Sequence, residues 1–442
     1  MNPRPAGPPT LRRHNLGLVL AALRAAGGAS RAELAARTGL TRATVATLVE
    51  PLLGAGVLAE DAATPRGVGR PSRAVRFAAG GPVALGVAID VDALAVCAVG
   101  LDGVVRAHRR HARDHRELDP DLVLDGAAAL AAEVRGEVGA RVLGAGLALP
   151  ALLSTATGAA HRADRALAAA DRAVVDADCA VVDADRAVVD ADHAVLDADC
   201  AVVDAYRAVV DADRAVVGAG SPVVLRAPNL PGLDGCRPGD ALAERLGCPV
   251  TVDNEATLGA LAHLDLAPDL VYVSAGIGVG GGLVLDGRVY RGARGLAGEL
   301  GHVVVDRSGP ACGCGGRGCV ERYAGTAALL ADAGAADLDA LVAALAEGDG
   351  RAVAATTRAA AALGTGLASV LNVLDVPVIV LGGTFARLAP HVEPALTAEL
   401  ARRSLASARV LTSGLGDAAA VRGAAESVLD AVQRDPDRLT AA

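Results

Sequence analysis

The sequence predicts an α/β protein: a small helical head followed by a two-lobed body. Three observations carry that expectation. Apolar runs ending in glycine turns before helical segments recur from residue 83 onward. Ahead of them lie three short helical segments separated by glycines. Charge divides along the same line: residues 1–77 hold eleven Arg against Glu33, Glu50, Glu60 and Asp61, a net +7, leaving −16 for the rest of a chain whose total is −9. A basic head on an acidic body is the pattern expected when one end meets phosphate. With 442 residues, 52% of them hydrophobic, a sizeable core is available and disorder is excluded. An aromatic content of 1% argues against base stacking, the usual device of single-strand and RNA binders. Every basic side chain is Arg, which reads as coding bias.

In the head, Leu16, Val19, Leu20 and Leu23 recur at helical intervals until Gly27 and Gly28. Ser30 and Glu33 form a capping box for a second helix running to about Thr38. Gly39 permits a sharp turn, and Thr41 caps a third helix with Val45, Leu48 and Leu52 inward. This is the spacing of a helix-turn-helix, with Arg42, Thr44 and Thr47 on the face that reads a major groove. Pro51 lacks an amide hydrogen and should kink or shorten that helix near Thr47–Glu50. Strands at Val57–Glu60 and Val75–Phe77 then bracket a cationic, glycine-rich loop. Its Arg66, Arg70 and Arg73 suit a DNA-touching wing. The head is expected over residues 11–77.

The body, expected over residues 82–430, reads as strands at Val83–Ile89, Leu94–Val99, Gly146–Pro150, Val250–Val252, Leu270–Ser274 and Val376–Leu381. Asp253, Asn254 and Glu255 fall at a strand-to-helix junction, and Gly276–Gly282 reads as a glycine turn. Strand ends of this kind line a cleft between two lobes. Arg12 and Arg13 precede an apolar stretch, but Arg24 interrupts it after eight residues, so no export signal is read. Breakers and hydroxyls likewise interrupt Val142–Ala160, so no membrane span is read there. A cytoplasmic protein is expected. In a reducing compartment, clustered cysteines bind metal more often than they form disulfides.

Such a cluster stands in Gly295-Leu-Ala-Gly-Glu299-Leu-Gly-His302, followed by Cys312-Gly-Cys314-Gly-Gly-Arg-Gly-Cys319-Val-Glu321. One imidazole and three thiols within 18 residues are a ligand set for tetrahedral zinc, closed and therefore structural. These residues resemble the ROK family (repressors, open reading frames, kinases), and in particular its sugar-responsive repressors with a winged helix in front. The resemblance spans residues 11 to about 425 apart from one insertion. It implies a two-lobed, actin-like and hexokinase-like ATPase-type body. It also implies structural zinc on His302, Cys312, Cys314 and Cys319, and a hexose held by Asn254, Glu255, Glu299, His302 and Glu321, with Asn229 a further candidate. Carboxylates, amide and imidazole suit paired sugar hydroxyls.

Phosphoryl transfer fits the sequence less well. Related kinases place small glycine and hydroxyl residues after the first-turn Asp, whereas Asp90 here is followed by Val91, Asp92, Ala93 and Leu94. Asp92 adds charge that repels a polyanion. Glu255 stands where the catalytic Asp is expected, its extra methylene shifting the carboxylate by roughly an ångström. The expectation is a non-enzymatic, sugar-responsive regulator, a repressor binding double-stranded operator DNA as a homodimer or homotetramer without a membrane. An ATP-dependent hexose kinase with a DNA-binding appendage is the alternative.

The insertion, residues 160–220, is a seven-residue repeat of the type Asp-Arg-Ala-Val-Val-Asp-Ala. Val174, Ala177, Val181, Ala184, Val188 and Ala191 trace a coiled-coil seam, with Ala at every second seam position. Tandem duplication of 21 nucleotides accounts for its near-identity. A tolerated loop insertion, a helical arm for self-association and a carboxylate ladder for divalent cations are the readings left open, in that order.

Overall fold

The computed structural model describes residues 8–61, 73–154 and 221–440. The head comprises α1 (Pro8–Ala26), β1 (Ala29–Ser30), α2 (Arg31–Thr38), α3 (Arg42–Gly54), β2 (Leu58–Glu60) and β3 (Ala74–Phe77). Its caps form as the residue types demand. Ser30 Oγ accepts from the Glu33 amide at 3.2 Å, and Glu33 Oε2 accepts from the Ser30 amide at 2.8 Å. Gly39 takes the left-handed conformation at φ 71°, and Thr41 Oγ1 accepts from the Thr44 amide at 3.1 Å. Val45, Leu48 and Leu52 are buried. The shortening expected at Pro51 is not found: α3 runs on to Gly54. Pro51 lies in its last turn, where only one ladder bond is lost and the Pro51 carbonyl still accepts from Ala55. β3 pairs with both β1 and β2, antiparallel in each case. Arg66 and Arg70 lie outside the described residues.

The body begins with β4 (Val83–Ile89), β5 (Ala93–Gly100), β6 (Val105–Ala112), α4 (Pro120–Val138), β7 (Val142–Leu149) and β8 (Leu152–Ser154). After the repeat, itself outside the described residues, come β9 (Val223–Arg226), α5 (Pro238–Leu246), β10 (Val250–Asn254) and α6 (Glu255–Leu261). The second lobe follows with β11 (Leu270–Ala275), β12 (Val279–Leu285), β13 (Arg288–Tyr290), α7 (Glu321–Ala324), α8 (Thr326–Ala333), α9 (Leu338–Ala346), α10 (Gly350–Leu374), β14 (Val378–Gly382), α11 (Gly383–Arg387), α12 (Ala389–Arg403), β15 (Arg409–Thr412) and α13 (Ala419–Arg434).

The two sheets are topological copies. The first is ordered β10-β7-β4-β5-β6 and the second β15-β14-β11-β12-β13. In each, an antiparallel three-strand meander is followed by two parallel strands laid beside its first member. The glycine run differs from the expected turn. Only residues 276–278 turn, while Gly280, Gly281 and Gly282 lie within β12. Their missing side chains let α6 and the 298–300 segment approach that strand: a Cβ on Gly282 would stand 2.4 Å from the Ala256 carbonyl oxygen, and one on Gly281 2.6 Å from that of Gly298.

Helices α4 and α5 cover one face of the first sheet through Leu124, Ala127, Leu130, Val134 and Leu242. On the second sheet, α10 and α12 contribute Ala359, Leu363, Leu367 and Leu396 to the largest core. Among the described residues α10 is the helix long and apolar enough to cross a membrane, and its apolar face is this core. The remaining faces are covered by exchange. Helix α6, which follows the first sheet, packs on β11 and β12 of the second, and α13, which ends the second lobe, returns to β4, β5 and β7 of the first. These two helices pack on each other between the lobes. The head docks on the same assembly, since Leu16, Val19, Leu20 and Leu23 of α1 share one apolar cluster with Val421, Ala425, Val428 and Leu429 of α13.

Candidate functional site

Two surfaces carry chemistry, one on the head and one between the lobes. On the head, Arg42 opens α3 and is exposed, Thr47 is exposed one turn further on, and Thr44 is half-buried. The Thr44 hydroxyl shares a hydrogen bond with the Thr41 hydroxyl at 2.8 Å, and that of Thr47 donates to the Ala43 carbonyl at 3.0 Å. Each keeps lone pairs for an outside donor. Arg73 is exposed and donates to Glu60 Oε2 at 3.2 Å. Arg31 reaches the other oxygen of that carboxylate at 2.5 Å, and the two guanidinium groups hold Glu60 below the ordinary carboxylate range. Arg37, exposed in the last turn of α2, is a cation that the sequence reading did not select.

Between the lobes, β10 delivers Asn254 and Glu255 to the start of α6. Asn254 is first a helix cap: its Oδ1 accepts from the amides of Ala256 and Thr257 at 2.9 and 3.3 Å, and its Nδ2 donates to the Ala151 carbonyl at 3.2 Å. Glu255 is pushed up to about 8 by burial and by the charge of Asp90. Asp90 is itself raised by burial, with Asp92 and Asp417 adding to the effect. Asp417, in the short turn before α13, had no local signal in the sequence, because only the fold brings it to this group.

The Asp90 hairpin is tightly committed. The Val91 amide donates to Asp90 Oδ1 at 2.6 Å, and the Val91 side chain is 1% exposed, plugging the core beneath. The His115 amide donates to the Val91 carbonyl at 2.8 Å and its Nδ1 to the Asp90 carbonyl at 2.7 Å. Asp92 points outward, with Arg110 at 3.7 Å. A backbone amide that would otherwise be free to face a phosphate is occupied by the hairpin's own carboxylate.

The second lobe supplies the opposite wall. Glu299 is raised by burial and by Glu321, against the pull of His302, whose Nε2 lies 3.9 Å from Glu299 Oε2. Glu321 opens α7 and accepts from the Val279 amide at 3.3 Å through Oε2. Arg291 donates to Asp253 Oδ2 at 2.7 Å, tying the loop before Glu299 to the strand end before Asn254. This cross-lobe pair was not visible in the sequence.

The four predicted metal ligands converge. One donor atom each from His302, Cys312, Cys314 and Cys319 lies within 4.8 Å of the others, a group that can hold a metal ion. His302 Nδ1 is 3.7 Å from Cys312 Sγ, and Cys314 Sγ is 3.7 Å from Cys319 Sγ. Metal–sulfur bonds of about 2.3 Å give tetrahedral edges of about 3.8 Å, so the spacing fits. Binding through Nδ1 leaves Nε2 directed toward Glu299. The Gly316 amide, donating to Cys314 at 3.5 Å, draws that thiol down, whereas burial pushes Cys319 up to about 12. From the first lobe, Arg226 donates to the Gly313 carbonyl in this loop at 3.2 Å.

Comparison with known proteins agrees with this anatomy. The winged helix-turn-helix DNA-binding family matches residues 12–58, and the ROK family matches residues 170–431. A putative xylose repressor of Caldicellulosiruptor sp. strain Rt8B.4 is 33% identical over 246 residues, 49% of this chain and 61% of that protein. An N-acetylmannosamine kinase of Citrobacter koseri is 36% identical over 151 residues, 32% of this chain and 52% of the kinase. The chain thus spans less than two thirds of the length of these relatives. Among solved structures, a ROK family transcriptional regulator described as a homologue of the E. coli MLC protein superposes with TM-score 0.71 at 21% identity, covering 98% of this chain and 99% of that one. A Streptomyces griseus ROK glucokinase with glucose and AMPPNP gives TM-score 0.58 at 21% identity, covering 78% of this chain and 98% of that one. With the family match covering more than half of its length, this chain belongs to the ROK family and carries a winged helix-turn-helix at its N-terminal end.

Proposed function

We propose that the protein is a sugar-responsive transcriptional repressor of the cytoplasm, with a DNA-binding head over 11–77 and an effector-binding body over 82–430. In this reading Arg42, Thr44, Thr47 and Arg73, with Arg66 and Arg70, contact operator DNA. Two copies of the head on a homodimer or homotetramer meet two half-sites. Asn254, Glu255, Glu299, His302 and Glu321 bind the sugar. Zinc on His302, Cys312, Cys314 and Cys319 fixes the imidazole so that Nε2 faces the ligand. Sugar shifts the closure of the two lobes and thereby the placement of the heads, releasing DNA.

The observation that carries the reading is the pairing of a head buried into the body's core with a cleft whose phosphate-side hairpin is self-satisfied. Groups able to bond sugar hydroxyls stand on both walls, while the Val91 amide is taken and Asp92 adds an exposed carboxylate at the turn a triphosphate would have to approach. Binding without phosphoryl transfer follows from that balance.

Thermal melting against xylose, glucose, mannose and N-acetylglucosamine, followed by gel shift on DNA selected by the protein, tests the proposal. One sugar should raise the midpoint and weaken DNA binding. Turnover of ATP with any of these sugars would overturn the non-enzymatic assignment, and absence of DNA binding at every salt concentration would overturn the repressor.

A further inference from the structure

Helix α13 is built against three neighbours with almost no side chain between the backbones. Towards the first sheet, a Cβ on Gly86 would lie 1.9 Å from the Val421 carbonyl oxygen, and one on Gly146 2.0 Å from that of Ala424. Towards the cleft, a Cβ on Gly423 would lie 1.8 Å from the Leu258 carbonyl oxygen of α6, the helix that begins at Glu255. Backbone on backbone leaves no side chain to absorb a movement of α6 towards α13, so such a movement is passed on to α13.

The outer side of α13 meets α1. That contact is apolar apart from one backbone approach, where a Cβ on Gly17 would lie 2.9 Å from the Gln433 carbonyl oxygen, and Glu426 at the other end, whose side chain is 12% exposed. Arg24 of α1 donates to both its oxygens, at 2.7 and 2.6 Å. Arg422 stands 3.6 Å from the same carboxylate and donates to the Gly103 carbonyl at 3.0 Å, in the β5–β6 turn. A Cβ on Gly103 would meet the Arg24 guanidinium at 2.8 Å, so that turn closes over the pair. Apolar burial with a single close backbone point holds two helices together but lets one pivot on the other, whereas a charge-assisted pair of hydrogen bonds is directional and fixes the angle.

We propose that α13 transmits effector occupancy from the cleft to the DNA-binding head, and that Glu426 with Arg24 is the joint that fixes the head's orientation on it. The inference rests on the sugar-responsive repressor reading above. It assigns Glu426 and Arg24 as coupling residues that touch neither sugar nor DNA. Without the joint, the apolar contact keeps the head attached but lets it turn, so a movement of α6 no longer sets its angle.

The full chain is used in the test, with the sugar that gives the largest thermal shift in the panel and a DNA fragment selected from a random pool by the wild-type protein. Three quantities are measured for each variant: sugar affinity without DNA, DNA affinity without sugar, and the change in DNA affinity at saturating sugar. In the wild type that change is expected to be about tenfold or more. Glu426→Gln and Arg24→Ala should keep sugar affinity within about twofold while the change shrinks to about threefold or less. Arg13→Ala, which breaks the more exposed pair of α1 with Asp437, should keep the wild-type change. The exchanged pair Arg24→Glu with Glu426→Arg should restore much of it, which separates orientation from general damage. Full sugar dependence in Glu426→Gln and Arg24→Ala would overturn the joint alone. A wild type that binds neither sugar nor DNA would overturn the repressor reading and the joint with it.

Discussion

Replacing Gly423 by alanine sets two opposed effects against each other, and the structure decides between them. Alanine is the better helix former by about 1 kcal/mol at an interior position. Its Cβ, however, would lie 1.8 Å from the Leu258 carbonyl oxygen, where ordinary contact begins at 3.4 Å. The α6 and α13 backbones would have to part by about 1.5 Å, and α13 is already flush with the first sheet at Gly86 and Gly146 on its other side. Overpacking of this kind costs about 1–3 kcal/mol, at the upper end where the obstruction is backbone, so the net change is about 2 kcal/mol of destabilisation. That corresponds to a fall of about 2 °C in Tm for a chain of this length. Gly136, in the last turn of α4, has nothing within 4 Å of its would-be Cβ, and Gly136→Ala should stabilise by about 0.5 kcal/mol. Scanning calorimetry of the two variants checks opposite signs. A Gly423→Ala protein as stable as Gly136→Ala would show that α6 and α13 slide freely, and the rigid contact would have to be abandoned.

Arg42→Ala should weaken binding to the selected DNA fragment and reduce the slope of log K against log salt by about 1, read from affinities at several ionic strengths. Because Glu255 is pushed up to about 8 from an ordinary 4.5, the folded protein holds a proton there that the unfolded chain has lost. Stability therefore falls as pH rises from about 4.5 towards 8. Glu255→Gln should flatten that part of the profile, as urea midpoints at pH 5.5 and 8.5 would report, and an unchanged slope would place the titration elsewhere. Dialysis against a chelator should lower Tm, with zinc restoring it. At a free zinc concentration about a hundredfold above Kd the gain is about 3 kcal/mol, and Cys319→Ser should lose it.

What could be read from the sequence was local. The Ser30–Glu33 capping box, the Gly39 turn and the Thr41 cap each depend on residues within four positions, and all three form. The ligand cluster was legible because glycines force a short loop to fold back on itself. By contrast, β6 carried no periodic signal: it is an edge strand, and of its eight residues only Ala107 is buried. The glycines of β12 looked like a turn because their purpose, admitting α6, lies in another element. Pro51 misled for the opposite reason, since its cost depends on how many ladder bonds lie beyond it. Contacts such as Gly86 with Val421, or Arg24 with Glu426, join residues more than three hundred positions apart and leave no trace in local pattern.

The charge balance of the cleft bears on the kind of effector as well as on catalysis. Asp90 and Glu255 on one side and Glu299 on the other are acids raised by burial, with Asp92 and Asp417 adding to the effect on Asp90, Asp90 to that on Glu255, and Glu321 to that on Glu299. Among the described residues, Arg110 stands 3.7 Å from Asp92 and Arg291 2.7 Å from Asp253. In the proposed site a phosphorylated sugar would bring a dianion among these acids, and those that are ionised would repel it. A neutral polyhydroxyl compound instead donates its hydroxyl protons to these same carboxylates, and its binding draws Glu255 toward the ionised form that accepts them. On the proposed reading, an environment that disfavours a phosphate favours an uncharged ligand, so binding of sugar without phosphoryl transfer would have one electrostatic cause.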